Sequence, residues 1–320
     1  MITIDHYQTL DIQKLHHINK TVTVSGISSG AYMAGQFHLS HSNLVSGAAL
    51  FAGGPYYCSQ NNVMKAMKLC MEEQNLTIDT DDLLGEIKDL EDRGLIDPIS
   101  NLNNDKVLII NGKRDHTVRE RVSHSAANLY KMLGVKKVEF NNKLDIAHTF
   151  PTLSKGNECQ SDSSSPFISA CNIDGAKMAL KKFYNLKSGR SEAQMDRFFQ
   201  MDQWALTPSS FYFMARHATA YVPKACETKS CNLHVSFHGC KQTRLDIGDQ
   251  FFKEVGLAEW AEKNNIVVLF PQTLPNFIGL SNPNGCWDWW GYSGPNFHNK
   301  LGPQIKSVYN LVLELISNTK

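Results

Sequence analysis

One short pattern in this sequence places a serine between glycines: Gly26-Ile27-Ser28-Ser29-Gly30, which fits G-x-S-x-G. It follows a predicted strand, Thr21–Ser25, and precedes a predicted helix, Ala31–Ser40. A strand, a sharp turn and a helix form the nucleophile elbow that exposes a reactive serine hydroxyl. Glycines relieve the crowding of such a turn, and the helix N-terminus favours negative charge near the serine oxygen. The pattern predicts Ser28 as a nucleophile, although a turn in which Ser28 only caps the helix fits the same residues.

A nucleophilic serine needs a base, and the base needs an acid that orients it. Asp115 follows the predicted strand KVLIIN, and His148 follows the predicted strand KVEFN. Serine, acid and histidine in this order, each after a strand, are typical of α/β-hydrolases. Asp145 is an alternative acid, but it lies only three residues before His148 in the same loop. We therefore predict a triad of Ser28, Asp115 and His148.

Acyl transfer also needs two N–H donors for the developing oxyanion. One is the amide after the nucleophile, here Ser29, and the other follows an earlier strand, often in an HG motif. Only 27 residues precede Ser28, and the motif occurs late, as His238-Gly239-Cys240 after the strand NLHVSF. An ordinary turn would also explain these residues, but it would leave half of a hydrolase sheet missing. We therefore predict a circularly permuted α/β-hydrolase in which the Cys240 amide is the second donor.

The remaining pattern fits this α/β class. Apolar strands alternate with helical segments, which predicts a mostly parallel central sheet flanked by helices, formed by residues 1–320 as a single catalytic domain. Residues 55–105 are helical in pattern and indicate an insertion over one edge of the sheet. A cap over the active site and a passive surface excursion both fit this segment.

The sequence resembles poly(3-hydroxybutyrate) depolymerases of the type with a circularly permuted catalytic domain. The matching segments span almost the whole chain: SGISSGAYMAGQFHLSHS, GAALFAGGPYYC, NGKRDHTV, AHTFPT, LHVSFHGCKQT, VVLFPQ and NPNGCWDWWGYSG. The resemblance implies Ser28 as nucleophile, Asp115 as acid, His148 as base, and the amides of Ser29 and Cys240 as oxyanion hole, in agreement with the strand order. It also implies a polyester or oligoester substrate, cleaved through an acyl-enzyme on Ser28.

The resemblance leaves the identity of the ester open. Many extracellular members carry a linker and a separate polymer-binding domain, and neither is visible in this chain. Attack on crystalline granules is therefore less expected, whereas polymer binding by the catalytic domain itself remains compatible. The alternative function is a short-chain or feruloyl-type esterase on soluble esters. A non-catalytic binding protein on a hydrolase scaffold is a distant alternative, because such proteins normally lack a triad member.

An aromatic cluster suits an apolar substrate, because aromatic rings pack well against methyl groups. Residues 286–292, CWDWWGY, place three tryptophans within four positions, and we expect at least one to be buried and at least one to lie in the cleft. The predicted substrate-binding residues are Trp287, Trp289, Trp290 and Tyr56, with Tyr57 and Phe277 as further candidates.

The cysteine pattern predicts disulfides. The eight cysteines include three closely spaced pairs and no C-x-x-C that would suggest zinc. Eight cysteines allow 105 connectivities; spacing favours Cys58–Cys70, Cys159–Cys171, Cys226–Cys231 and, from what remains, Cys240–Cys286. Disulfides indicate an oxidising compartment, so we expect a secreted or periplasmic protein whose leader is absent from this chain. Reduced core cysteines in a leaderless cytoplasmic protein are the alternative.

Composition excludes some partners. The formal net charge of +1 provides no strong field for nucleic acid or anionic lipid. No apolar run is long enough to span a bilayer. We therefore expect no nucleic-acid partner, no membrane span, no metal and no cofactor, and we expect a monomer.

Overall fold

The computed structural model describes residues 6–71, 77–160, 163–206, 213–276 and 281–317. The strands are β1 His17–Ile27, β2 Val45–Phe51, β3 Lys106–Ile110, β4 Lys137–Asn141, β5 Phe150–Thr152, β6 Asn157–Glu158, β7 Ile168–Ala170, β8 Phe198–Asp202, β9 His217–Tyr221, β10 Ser230–Phe237 and β11 Ile266–Phe270. The helices are α1 Ser29–Ser40, α2 Val63–Lys68, α3 Thr80–Asp92, α4 Glu120–Met132, α5 Gly175–Phe183, α6 Gln203–Leu206, α7 Arg244–Ile247, α8 Gln250–Glu254, α9 Leu257–Ala261 and α10 Pro303–Ser317.

Eight strands of the described residues form one sheet in the order β4-β3-β2-β1-β10-β11-β9-β8. The first six of these are parallel, and β9 is antiparallel to both of its neighbours. The late strand β10 lies beside β1, with Gly26 opposite Phe237. The mostly parallel sheet confirms the predicted α/β class, and the strand order supplies the half of the sheet that a circular permutation would move to the C-terminal part.

Helices cover both faces of the sheet because side chains of a buried strand alternate between the two faces. Val22 and Val24 of β1 pack in the core formed with α1, α3, α4 and α10, whereas Ile27 packs in the core formed with α5, α8 and α9. Thr23 and Ser25 alternate with the two valines, and each hydroxyl lies 2.8 Å from a ring nitrogen of buried His234. The two buried hydroxyl groups of β1 therefore have hydrogen-bond partners within the core.

The described part of the segment 55–105 is helical, as its pattern predicts. It contributes α2, α3 and a 3-10 turn, Ile99–Asn104. Helix α3 packs on α4, while α2 lies in the loop closed by the Cys58–Cys70 disulfide. None of the helices formed by the described residues has both the length and the apolar composition of a bilayer span.

The parallel sheet brings the predicted site residues to one edge. Ser28 follows β1, Asp115 follows β3, His148 follows β4 and Cys240 follows β10. Because these four strands point the same way, the loops at their carboxyl ends meet in one place, where ligands bind in open α/β sheets.

Candidate active site

Ser28 lies in the sharp turn between β1 and α1. Its backbone has φ 56° and ψ −123°, and such conformations cost of order 1–3 kcal/mol and cluster at functional sites. A Cβ on Gly26 would lie 2.1 Å from the Gly30 carbonyl oxygen, and a Cβ on Gly30 would lie 2.3 Å from the His238 carbonyl oxygen. Both glycines are therefore required. Ser28 is half-buried and, within the described residues, makes no side-chain bond that caps α1, so the capping interpretation does not fit.

Asp115 and His148 are paired in the loops after β3 and β4. Nδ1 of His148 lies 2.8 Å from Oδ2 of Asp115, and both side chains are buried. Oδ1 of Asp115 accepts the N–H groups of Thr117 and Val118 at 2.9 and 2.8 Å. These two amides hold the carboxylate in one orientation, with its other oxygen toward the imidazole. The arrangement favours the neutral tautomer with its proton on Nδ1 and leaves Nε2 as an acceptor.

Asp145, the alternative acid, forms a different contact. Its carboxylate accepts a bidentate pair of hydrogen bonds from Arg114, at 2.7 and 3.0 Å. Both side chains are about half exposed, and the hydrogen bond from Arg114 lowers the pKa of Asp145. Asp115 is therefore the carboxylate that is paired with His148.

The loop of residues 238–240 after β10 lies against the elbow. A Cβ on Gly239 would lie 3.3 Å from Cβ of Ser28. Ser29 and Cys240, whose amides are the predicted oxyanion donors, line the same cavity as Ser28 and His148. Four of the five residues predicted for catalysis thus line one cavity, and the fifth, Asp115, lies behind His148 and contacts its ring.

His238 braces this loop as a neutral imidazole. Its Nδ1 lies 2.8 Å from the Gly239 carbonyl oxygen, and its Nε2 accepts the N–H of Thr273 at 3.2 Å. Burial lowers the pKa of His238 to about 4, so near pH 7 the ring carries one proton, on Nδ1, and donates it to Gly239. In a trans peptide C=O and N–H point in opposite directions, so the N–H of Cys240 points away from His238.

The cavity has a volume of about 540 Å³ and a largely apolar wall, which includes Tyr32, Val63, Met67, Val118, Trp289 and Trp290. The rings of Tyr32 and Trp289 are stacked, with centroids 4.4 Å apart and planes 15° apart. Trp290 meets Trp289 edge-on at 5.6 Å. Apolar walls with a few polar groups at one point are typical of sites for small, largely apolar ligands.

No protein-family model matches the sequence, but curated relatives do. The chain is 35% identical to the poly(3-hydroxybutyrate) depolymerase of Delftia acidovorans, over 94% of this chain and 61% of that protein. It is 33% identical to the polyhydroxybutyrate depolymerase of Talaromyces funiculosus, over 93% of this chain and 90% of that protein. The chain belongs to the poly(3-hydroxybutyrate) depolymerase family. It spans about three fifths of the length of the Delftia depolymerase.

Solved depolymerase structures have the same fold. The crystal structure of the PHB depolymerase from Penicillium funiculosum superposes with a TM-score of 0.87 at 31% identity, covering 97% of this chain and all of that one. A serine-to-alanine variant of a PHB depolymerase, complexed with an R3HB trimer, superposes with a TM-score of 0.86 at the same identity and coverage.

Two predicted wall residues of this depolymerase-family chain belong to the core instead. Trp287 is 0% exposed and packs edge-on against Phe237 at the end of β10, with centroids 5.1 Å apart. Tyr56 is buried, and its hydroxyl donates to the His298 carbonyl oxygen at 2.9 Å. Among the described residues neither lines the cavity, which corrects the prediction for both. Trp289 and Trp290 do line it.

The further candidates do not extend the described wall. Tyr57 stacks on the His298 ring, with centroids 3.9 Å apart, and is not among the described residues of the cavity wall. Phe277 lies outside the described residues.

Disulfides secure the loops of the depolymerase-family site. The structure contains the four pairs favoured by spacing: Cys58–Cys70, Cys159–Cys171, Cys226–Cys231 and Cys240–Cys286. The last pair joins the loop of residues 238–240, which carries a predicted oxyanion donor and is called the oxyanion loop below, to the tryptophan segment, residues 286–292. The first closes the loop around α2, whose residues Val63 and Met67 line the cavity.

Sequence reasoning missed a buried carboxylate that organises the wall. Oδ1 of Asp288 accepts the N–H groups of Trp290, Gly291 and Tyr292, and Oδ2 accepts the N–H and O–H of Ser293. Burial raises the pKa of Asp288, while these bonds favour its charged form. The available signal was an aspartate followed by glycine and serine in an otherwise aromatic run, which is typical of Asx turns.

Proposed function

We propose that this chain is a serine esterase that hydrolyses ester bonds of poly(3-hydroxybutyrate) or its oligomers. The observation that carries the proposal is the juxtaposition of a strained, half-buried Ser28 with the paired His148 and Asp115 around one apolar cavity. Family membership and the R3HB trimer bound by a relative support hydroxybutyrate as the acyl class.

In the proposed acylation, Oγ of Ser28 attacks the ester carbonyl carbon while its proton moves to Nε2 of His148. Asp115 stabilises the resulting imidazolium through Nδ1. The carbonyl oxygen becomes an oxyanion that accepts hydrogen bonds from the amides of Ser29 and Cys240. Collapse breaks the bond to the alcohol oxygen, which takes the proton from His148 and leaves as a hydroxyl group.

Deacylation repeats these steps with water. His148 removes a proton from a water molecule, whose oxygen attacks the acyl carbon on Ser28. The second tetrahedral intermediate uses the same two amides and collapses to a carboxylic acid, while Oγ of Ser28 recovers its proton from His148. The net reaction is one ester plus one water giving one acid and one alcohol.

The apolar wall of the cavity favours a substrate with an apolar acyl chain. Tyr32, Trp289 and Trp290 present ring surfaces against which the methyl groups of hydroxybutyrate units can pack. We propose that α2, which carries Val63 and Met67, is the cap-forming part of segment 55–105 over this cavity.

The direct test is the Ser28→Ala variant together with a substrate panel. We expect wild-type protein to hydrolyse hydroxybutyrate trimer and to be labelled by a fluorophosphonate, and the variant to do neither while melting at an unchanged temperature. Retained hydrolysis in the variant would move the nucleophile. Wild-type activity on ethyl ferulate with none on the trimer would instead favour the soluble-ester alternative, and absence of labelling would favour a binding protein.

We also propose that the enzyme acts outside the reducing cytoplasm, as a monomer built on one catalytic domain. The four disulfides support an oxidising compartment, and all proposed catalytic groups come from one chain. Non-reducing peptide mapping of protein from its native source tests the first proposal, and sedimentation tests the second.

A further inference from the structure

Gln242 makes hydrogen bonds to two loops that approach the site from different parts of the chain. Its Oε1 accepts the N–H of Gly239 at 2.6 Å, and its Nε2 donates to the carbonyl oxygens of Pro166 at 2.7 Å and Phe167 at 3.3 Å. The side chain is 1% exposed. The amide orientation follows from these partners, because an N–H can only donate and a carbonyl can only accept.

The first contact fixes the oxyanion loop. Gly239 packs against Ser28, and its N–H is occupied by Gln242 while its carbonyl oxygen accepts from His238. Both peptide groups that flank Gly239 are therefore held by side chains, one by Gln242 and the other by His238. The Cys240 amide is the one that remains for an oxyanion, and its direction depends on these two bonds.

The second contact reaches the loop that supports the base. Phe167 meets the His148 ring edge-on with centroids 6.5 Å apart. Its N–H donates to the Ser164 carbonyl oxygen at 2.7 Å, and the N–H of His148 donates to Oγ of Ser163 at 2.9 Å. Residues 163–167 thus hold both the backbone and the ring of the base.

We infer that Gln242 is a positioning residue that fixes the Cys240 amide relative to His148. Acyl transfer needs both groups around one carbonyl carbon, and they come from loops that are about ninety positions apart in sequence. One buried amide bridges them without contacting the reacting atoms. The inference rests on the proposed function, since it concerns the geometry of the same site.

The test replaces Gln242 by methionine, which keeps the length of the side chain and removes all three hydrogen bonds. We expect kcat for nitrophenyl butyrate, per active site titrated with a fluorophosphonate, to fall roughly 10–100-fold, since small misplacements of catalytic groups cost about this much. Affinity for an alkyl boronic acid, which forms a tetrahedral adduct on serine, should fall by a similar factor, whereas KM should change little.

Gln203 provides a matched control. It is also fully buried, with Oε1 accepting the Gln272 N–H and Nε2 donating to the carbonyl oxygens of Ala215 and Gln272, but it does not line the cavity among the described residues. Gln203→Met should lower the melting temperature and leave kcat per titrated site unchanged. If Gln242→Met shows this same pattern, the inference is wrong and Gln242 is only structural.

A second variant decides the matter if Gln242→Met does not fold. Gln242→Glu keeps the acceptor for Gly239 and the size, but loses the donor to residues 166 and 167, and we expect it to lower kcat and boronate affinity together. Unchanged values of both would overturn the inference. Failure of the proposed function is distinguishable, because in that case the wild-type protein would neither react with the fluorophosphonate nor turn over nitrophenyl butyrate.

Discussion

Asp115→Asn should nearly abolish hydrolysis while leaving the fold intact. The amides of Thr117 and Val118 both point at one side-chain oxygen, so the asparagine carbonyl would take that place and its NH2 would face Nδ1 of His148. Nδ1 would then have to accept, which puts the ring proton on Nε2 and removes the base. Loss of the correct tautomer costs roughly 10⁴ in rate, about 5 kcal/mol of transition-state stabilisation.

The assay measures kcat/KM for nitrophenyl butyrate, and the far-UV spectrum and the melting temperature check that each variant is folded. Asp145→Asn is the matched control, because it removes an exposed ion pair with Arg114, and exposed ion pairs contribute little to stability. Its activity should stay close to wild type. A larger loss for Asp145→Asn than for Asp115→Asn would refute the choice of acid and the tautomer argument together.

Three further predictions concern the cavity wall, the proposed cap and the buried residue His234. Trp290→Ala should cost about 1–3 kcal/mol of transition-state binding with hydroxybutyrate trimer as substrate, and little with a nitrophenyl ester. Trp287→Ala should instead lower the free energy of unfolding by about 3–5 kcal/mol and reduce both activities. If the two variants behave alike in kinetics and in thermal melts, this distinction is wrong. Met67→Ser should weaken adsorption to a polyester film because Met67 is exposed and lines the cavity, and equal weakening by Met132→Ser, an exposed methionine on α4, would count against it. Burial lowers the pKa of His234 to about 3, below the value of about 6.5 in an unfolded chain. Protonation therefore favours the unfolded state, and as the pH falls below about 6.5 this residue should lower the free energy of unfolding by up to roughly 1.4 kcal/mol per pH unit. Urea unfolding of the wild type and of His234→Gln at pH 7 and pH 5 should show a smaller loss of stability for the variant. Parallel pH dependence of the two proteins would contradict this prediction.

The sequence carried enough information to place the proposed reactive groups in the fold, because each lies next to a local signal. Ser28 stands between two glycines that the turn cannot do without, and Asp115 and His148 each follow an apolar strand. The pair His238-Gly239 could be interpreted as part of an oxyanion loop only because no such loop precedes Ser28. The periodicity and order of the strands were therefore sufficient to predict that these residues lie at one edge of the sheet.

The burial of individual side chains and their hydrogen-bond partners could not be predicted from the sequence, because both depend on segments that are distant along the chain. Trp287 and Trp289 are two residues apart, yet one packs on Phe237 and the other on Tyr32. β1 begins at His17, well before the apolar run, because its polar start pairs with β10. No local pattern encodes such long-range contacts.

The site lies along the junction between the first and the last parts of the chain. The pairing of β1 with β10 joins Gly26 to Phe237, and Trp287 N–H reaches Oγ of Ser29 at 3.4 Å. The proposed nucleophile, Ser28, and one proposed oxyanion amide, Ser29, therefore come from the beginning of the chain. The other proposed amide, Cys240, follows β10, which pairs with β1 although more than two hundred residues separate them. Contacts this distant in sequence carry a loop-closure entropy cost and slow folding. Only glycine fits at position 30, because a Cβ there would lie 2.3 Å from the carbonyl oxygens of Phe237 and His238. The close approach of the elbow to the end of β10 therefore depends on the pairing of these two strands, and so does the proposed position of Ser28.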